Sequence, residues 1–378
     1  MGEPMSAARR RAIALSRDEN RVEGPIEGHH HETYVIPLPP EVAGALGVDG
    51  TVRWKCREPK PGLLWFDRRC FASEERLIGE LRGRVGGVPE IVEVEGVPLQ
   101  RFVEGVTLGT RYGREGWLPW EVVGQLLRLF GELVAIRPAD LDLERNCRPA
   151  DRPRDGDTAG FLRGLIRFVE TRVYLDNESE YGDLFEALGV KDGSLRRLRE
   201  GAEGLRKRPF CLLHGDLHRE NLVLDAHRTL WTIDWELAIA GDPLYDLATH
   251  LHLAGYPDRQ AVVVARNWAH RVERARPGAS RGWRQDLRLL LAFKEAQSVF
   301  TDIIRTALTV RGPDPDTGSD TGSGAERARL ADAAGRLHRV VLRGAGPLGL
   351  GSVPEPWQIA DALQAWSKRR SQPGSSAT

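Results

Sequence analysis

The stretch from Phe210 to Glu236 limits what this chain can become more than any other part of it. It runs Cys211-Leu212-Leu213-His214-Gly215-Asp216-Leu217-His218-Arg219-Glu220-Asn221 and closes on Ile233-Asp234-Trp235-Glu236. Asp216, Asn221 and Asp234 therefore stand at offsets of zero, five and eighteen. Two β-prone segments, Leu222 to Asp225 and Thr229 to Ile233, flank the turn Asp225-Ala226-His227-Arg228. A hairpin there returns the chain to its starting point and brings Asp234 back beside Asn221. Singly, Asp216 reads as a turn residue, Asn221 as a cap and Asp234 as a strand terminator. Jointly they read as one polar site.

That grouping matches the demands of phosphoryl transfer. In kinases a catalytic-loop Asp accepts the substrate hydroxyl proton, an Asn five residues on binds one Mg²⁺, and a later Asp binds metal. Here Gly215 stands where protein kinases carry Arg, and the metal segment is Asp-Trp-Glu. Gly241-Asp242-Pro243-Leu244-Tyr245-Asp246-Leu247-Ala248 follows. In these motifs the chain resembles the aminoglycoside phosphotransferase family, which carries His-Gly-Asp, Asn five residues later, Ile-Asp-Trp or Ile-Asp-Phe, then Gly-Asp-Pro leading to Asp-Leu-Ala. The motifs occupy residues 211–248, and the resemblance extends over about residues 22–345. It implies an α+β, bilobal, protein-kinase-like fold with a small β-rich N-lobe bearing one helix and a larger, mainly helical C-lobe. It also implies ATP and Mg²⁺, with Asp216 catalytic and Asn221 and Asp234 on metal. Asp242, followed by Pro243, reads as a helix N-cap, and Asp246 as a brace for the catalytic loop.

Composition narrows the alternatives. With 54 Lys plus Arg against 54 Asp plus Glu, nothing global draws the chain onto nucleic acid or anionic lipid. Cys56, Cys70, Cys147 and Cys211 form no CxxC pair and lie far apart, which suits reduced thiols in a cytoplasmic protein. No apolar run approaches membrane-spanning length, and Ala12 to Leu15 is too short for a secretory core.

Only six lysines occur, at 55, 60, 191, 207, 294 and 368, so the phosphate-holding cation of the N-lobe has few candidates. Thr51 to Arg57 alternates, with Val52, Trp54 and Cys56 on one face and Arg53, Lys55 and Arg57 on the other. Lys60 lies in a Pro/Gly turn, which leaves Lys55, with Arg53 or Arg57 as substitutes if the register shifts by two. Ser73 caps a helix opened by Glu74 and Glu75, whose apolar stripe is Leu77, Ile78, Leu81 and Val85. Glu74 falls on the inward face and is expected to pair with Lys55, while Glu75 is rotated toward solvent. Gly28, in the turn from Gly24 to Val35, belongs to the loop expected to cover the phosphates. Consecutive His29, His30 and His31 diverge on a strand and do not chelate one ion. By the resemblance, Val97 to Gly105 is the hinge strand, with Arg101 C=O and Val103 N–H at the adenine edge.

The expected organisation is an arm over residues 1–20, disordered or loosely helical, an N-lobe over 21–105 and a C-lobe over 106–368. A mobile loop is expected at 311–324 and a tail at 369–378. Helical patterns cover Trp117 to Ile136, Phe161 to Val173, Leu289 to Leu308 and Ala325 to Leu342. Asp176, Glu178, Glu180, Asp183 and Glu186 form an acidic stretch, a solvated face or a binder of cationic acceptors. The leading reading is an ATP-dependent kinase acting on a hydroxyl of a small molecule, an aminoglycoside, another antibiotic or a metabolite. The different-class alternative is a non-catalytic nucleotide sensor or scaffold. Seven residues between Asp234 and Asp242 leave no room for a protein-kinase activation segment. Oligomeric state has no signature here.

Overall fold

A computed structural model of the 378-residue chain describes residues 5–26, 31–60, 68–148, 152–311 and 323–371. The expected α+β class is what it shows. Two compact units form. The first contains Arg69–Arg148, Phe210–Ser280 and the described residues before 61, and the second the described parts of Pro149–Pro209 and Arg281–Thr378 with Arg68.

The first unit opens with a five-stranded sheet: β1 (Glu23–Ile26), β2 (His31–Pro37), β3 (Arg53–Pro59), β4 (Ile91–Val94) and β5 (Val97–Arg101), in the order β1-β2-β3-β5-β4. In β3, Trp54 and Cys56 are fully buried while Lys55 and Arg57 project from the opposite face, as the alternation requires. The N-terminal arm is a helix, Ala7–Ser16, and it is not loose. Ala8, Ala12 and Leu15 recur on one face and join Tyr34, Ile36, Trp54 and Leu99 in one core. Small alanines permit that close approach, a signal too short to read as amphipathic in the sequence. The helix Glu74–Leu81 starts at Ser73, whose hydroxyl accepts the Arg76 N–H, and buries Leu77, Ile78 and Leu81. It stops at Leu81, so Val85 packs from the following turn.

The same unit continues through β6 (Val106–Thr107), the helix Trp120–Ala135, β7 (Cys211–Leu213), β8 (Leu222–Leu224), β9 (Leu230–Thr232), β10 (Ile239–Gly241) and the helices Pro243–Ala254 and Asp258–Ala275. The hairpin forms as expected: β8 and β9 pair antiparallel with Leu222 opposite Thr232. Gln125 clamps its turn, donating from Nε2 to Arg228 C=O and accepting the Leu230 N–H through Oε1, both at 2.9 Å. The second unit is helical among its described residues. It holds Thr158–Phe168, continued by a π-helical stretch Val169–Tyr174, then Glu178–Ala187, Arg196–Ala202, Trp283–Arg311, Ser323–Leu348 and Pro356–Ser371. Trp366 stacks on Tyr181 with ring centroids 5.4 Å apart, and the buried Arg208 guanidinium lies 2.7 Å from Asp286. Most of the tract expected to be a mobile loop, 312–322, lies outside the described residues, as do 372–378. Among the described residues no helix is long and apolar enough to cross a membrane.

Candidate active site

The catalytic-loop candidate grows out of β7. Leu213 ends the strand, and Gly215 turns the chain at φ +84°, where a Cβ would lie 2.3 Å from Leu237 C=O. Only glycine fits that turn. Its exposed amides are not left open: Asp246 Oδ2 accepts the His214 N–H and Oδ1 the Gly215 N–H, each at 2.8 Å. Asp246 itself sits in the first turn of Pro243–Ala254, whose N-cap Asp242 accepts the Leu244 N–H at 3.0 Å with Pro243 at the first helical position. Both residues are structural, as their spacing suggests. The buried His214 ring contacts Trp235 at 4.6 Å between centroids, donates from Nε2 to Ile233 C=O at 3.1 Å and accepts the Asp216 N–H at Nδ1. Burial pushes its pKa down to about 4, so the ring stays neutral. Arg219 anchors the loop from beneath: Nε donates to Ala254 C=O at 2.7 Å, Nη1 to Gly113 C=O at 2.9 Å, and Nη2 to Gly116 C=O.

Asp216 and Asn221 are hydrogen-bonded, and Asp234 lies near enough to Asp216 to feel its charge. Asn221 Nδ2 donates to Asp216 C=O at 3.0 Å and reaches its Oδ2 at 3.3 Å, while Ile233 N–H donates to Asn221 C=O at 3.0 Å. These bonds take up the Asn221 amide nitrogen. Asp234 follows the hairpin with φ +64°, a left-handed turn that Asp tolerates better than branched residues. Its carboxyl is pushed up to about 7 by burial, then by the neighbouring charges of Glu74, Glu236 and Asp216, against the lowering effect of Arg57. A group held in that state is electrostatically short of positive charge.

One carboxylate oxygen from each of Glu74, Asp234 and Glu236 lies within 4.8 Å of the other two. Hard carboxylate oxygens at that spacing fit a magnesium ion. Glu74 Oε1 also accepts the Trp235 N–H at 3.0 Å, tying Glu74–Leu81 to the segment that carries Asp234.

One expected contact is replaced. The Glu74 carboxylate is paired with Arg57, at 2.9 Å, and not with Lys55. Arg57 lies on the same strand face two residues on, and its planar guanidinium bridges Glu74 and Glu75 at once, the latter at 2.7 Å. Glu75 is accordingly drawn in and does not face solvent alone. Lys55 sits beneath, its Nζ 6.0 Å from the centroid of the Phe102 ring. Burial and then Arg57 push its ammonium pKa down, against Glu74 and Asp234. Arg53, the other substitute, is occupied by Glu104 and Glu23.

Three further side chains border the cluster without having been singled out in the sequence. Glu236 is paired by Arg69 at 2.6 Å, with His31 Nδ1 at 3.8 Å, and His218 Nε2 donates to Asp216 Oδ2 at 3.2 Å. Burial opposes His218 protonation, but the Asp216 hydrogen bond and the charges of Asp216, Asp234 and Glu220 outweigh it and raise its pKa. Glu236 had a signal in its place two residues after Asp234; Arg69 had none. Arg101 pairs with Trp54 in the β3–β5 ladder, and Val103 follows β5 as a buried residue. Gly28 lies outside the described residues, as do His29 and His30.

The sequence profile of the phosphotransferase enzyme family, APH, matches residues 64–284. No curated protein matches significantly by sequence. Among solved structures, the chain is similar to the macrolide 2'-phosphotransferase MphH from Brachybacterium faecium in its apoenzyme form, at 16% identity over 91% of this chain and 99% of that one, with a TM-score of 0.52. A choline/ethanolamine kinase family protein from Mesorhizobium loti aligns at 18% identity over 95% and 98% of the two chains, with a TM-score of 0.45. A thermostable mutant of the aminoglycoside phosphotransferase APH(4)-Ia, in a ternary complex with ADP and hygromycin B, aligns at 18% identity over 90% and 100%, with a TM-score of 0.45. Since the family profile spans more than half of the 378 residues, this chain belongs to the phosphotransferase enzyme family.

Proposed function

We propose that this protein is an ATP-dependent, Mg²⁺-requiring kinase that transfers the γ-phosphoryl group to a hydroxyl of a small molecule. The observation that carries the reading is the junction of Asp216, Asn221 and Asp234 through the Asn221 side chain and the Ile233–Asn221 backbone bond. Asp216 orients the acceptor hydroxyl and takes its proton as the new P–O bond forms. Asn221 Oδ1 and Asp234, with Glu74 and Glu236 beside them, would hold Mg²⁺. Magnesium, when bound, supplies positive charge to the nucleotide phosphates. Lys55 places an ammonium toward the α/β-phosphates, and Arg57 fixes Glu74 and Glu75 around it. Arg101 C=O and Val103 N–H meet the adenine edge, and Gly28 belongs to the loop over the phosphates. His218 holds the Asp216 carboxylate in one rotamer. The acceptor is an aminoglycoside, another antibiotic or a metabolite bearing a hydroxyl.

The test is Asp216→Asn, followed by Mg²⁺-dependent ATP hydrolysis and by a screen of hydroxylated compounds read as the mass gain of one phosphoryl group. Turnover is expected to fall by about 10²–10⁴-fold, the range for loss of a general base. Thermal stabilisation by Mg²⁺ and nucleotide should persist in the variant. Wild-type turnover in Asp216→Asn would remove the assignment. Absence of any hydrolysis or transfer in the parent protein would favour a nucleotide-binding scaffold.

A further inference from the structure

Two cysteines far apart in the sequence meet in the first unit. The segment before Glu74–Leu81 runs antiparallel to residues 144–147: Phe71 bridges Arg145, Ala72 N–H donates to Glu144 C=O at 3.0 Å, and Asn146 N–H donates to Cys70 C=O at 2.9 Å. The Asn146 side chain adds a bond from Nδ2 to Phe71 C=O at 3.1 Å. The chain then bends at Asn146 and Cys147. The Cys147 side chain is in hydrogen-bond contact with that of Cys70. In that register Cys70 stands opposite Asn146, so Cys147 is the residue next to the one that faces Cys70. Cys70 is buried and Cys147 half-buried, and neither is in a disulfide.

We propose that Cys70 and Cys147 are a redox-active dithiol that a hydroperoxide converts to an intramolecular disulfide. The roles divide by environment. Cys147 is the less buried of the two residues. The contact with Cys147, together with burial, pushes Cys70 well above the usual thiol range, so Cys70 keeps its proton until it resolves the oxidised partner. The Cys147 sulfur attacks the outer peroxide oxygen, the O–O bond breaks, and the co-product leaves as water or an alcohol after taking a proton. Two electrons pass from sulfur to oxygen, and Cys147 becomes a sulfenic acid. The Cys70 sulfur then attacks the Cys147 sulfur, the S–O bond breaks, and hydroxide leaves as water with the Cys70 proton. The net change is two thiols and one hydroperoxide to one disulfide, water and the reduced peroxide.

The bond would staple residues 144–147 to the segment that carries Arg69, whose guanidinium holds Glu236, and that leads into Ser73 and Glu74. An effect on nucleotide binding rests on the function proposed above; the covalent change does not. The test treats the native full-length protein with hydrogen peroxide, alkylates it in denaturant and maps peptides by mass spectrometry. Titratable thiols should fall from four to two, with a Cys70–Cys147 linked peptide that dithiothreitol removes, while Cys56 and Cys211 stay alkylatable. The oxidised protein should melt several degrees higher, because the bond closes a long loop in the unfolded chain. Cys147→Ser should keep all remaining thiols free under the same treatment. Four alkylatable thiols after oxidation, a link between other cysteines, or Cys147 trapped as a sulfinic acid would each overturn the proposal. The mapping needs no turnover, so failure of the kinase reading and failure of the dithiol are read separately.

Discussion

Removing the Asp246 carboxylate should unseat the catalytic loop from a distance. Asp246 is almost fully buried and accepts two backbone N–H groups, from His214 and Gly215, at 2.8 Å each. Hydrogen bonds to a charged partner contribute about 1.5–3 kcal/mol apiece, and each amide left unpaired in the interior costs about 1–3 kcal/mol. Against this, Asp246→Ala relieves the desolvation of a buried charge. The difference is a loss of about 2–4 kcal/mol, with both amides orphaned in the turn that precedes Asp216. Asp246→Asn should cost nearly as much, because one oxygen becomes an NH₂ group that faces an N–H. Denaturant unfolding of the parent and both variants measures the stability, and hydrogen exchange at the His214 and Gly215 amides locates the damage. Turnover should also fall on the order of 10²-fold through misplacement of Asp216. If Asp246→Ala unfolds within about 0.5 kcal/mol of the parent and leaves both amides protected, the brace argument is wrong.

Three other outcomes follow from the same geometry. Gly215→Ala places a Cβ 2.3 Å from Leu237 C=O at a φ of +84°, so a loss of more than about 2 kcal/mol is expected by thermal unfolding, and a silent substitution would contradict the turn. His214 and His250 are buried with pKa values depressed to about 4 from an ordinary 6.5, chiefly by burial. Their contribution is complete above the unfolded value and is lost as pH falls from about 6.5 toward 4, since only the unfolded chain binds the protons there; the slope amounts to a few kcal/mol over that window and should flatten in a His250→Gln variant. Arg57→Leu strands the buried Glu74 carboxylate and should cost about 3–5 kcal/mol, with most of it regained in the Arg57→Leu/Glu74→Leu pair; additive losses in the double-mutant cycle would show that the ion pair does not couple them.

Much of the candidate site was legible because it is local. The offset from Asp216 to Asn221 is carried by one loop, and the return to Asp234 needs only a hairpin whose turn chemistry is written in Asp225 to Arg228. The caps at Ser73 and Asp242 and the brace at Asp246 are likewise set by short-range spacing and the unpaired N–H groups of helix starts. The docked N-terminal helix was less legible, since three small or short apolar side chains give a weak periodic signal and become a core only against Tyr34 and Trp54.

The sequence by itself determined the fold class, the family and the convergence of Asp216, Asn221 and Asp234, because spacing, alternation and turn residues act over a few residues at a time. Only the tertiary structure decided which cation meets Glu74, that Arg69 reaches Glu236 across 167 residues of chain, and that Cys70 touches Cys147. Those choices depend on which long side chain of a strand face fits the space, and on where two separate segments happen to pair. No local pattern encodes either, since several cations share the face and the partners are fixed by packing between elements.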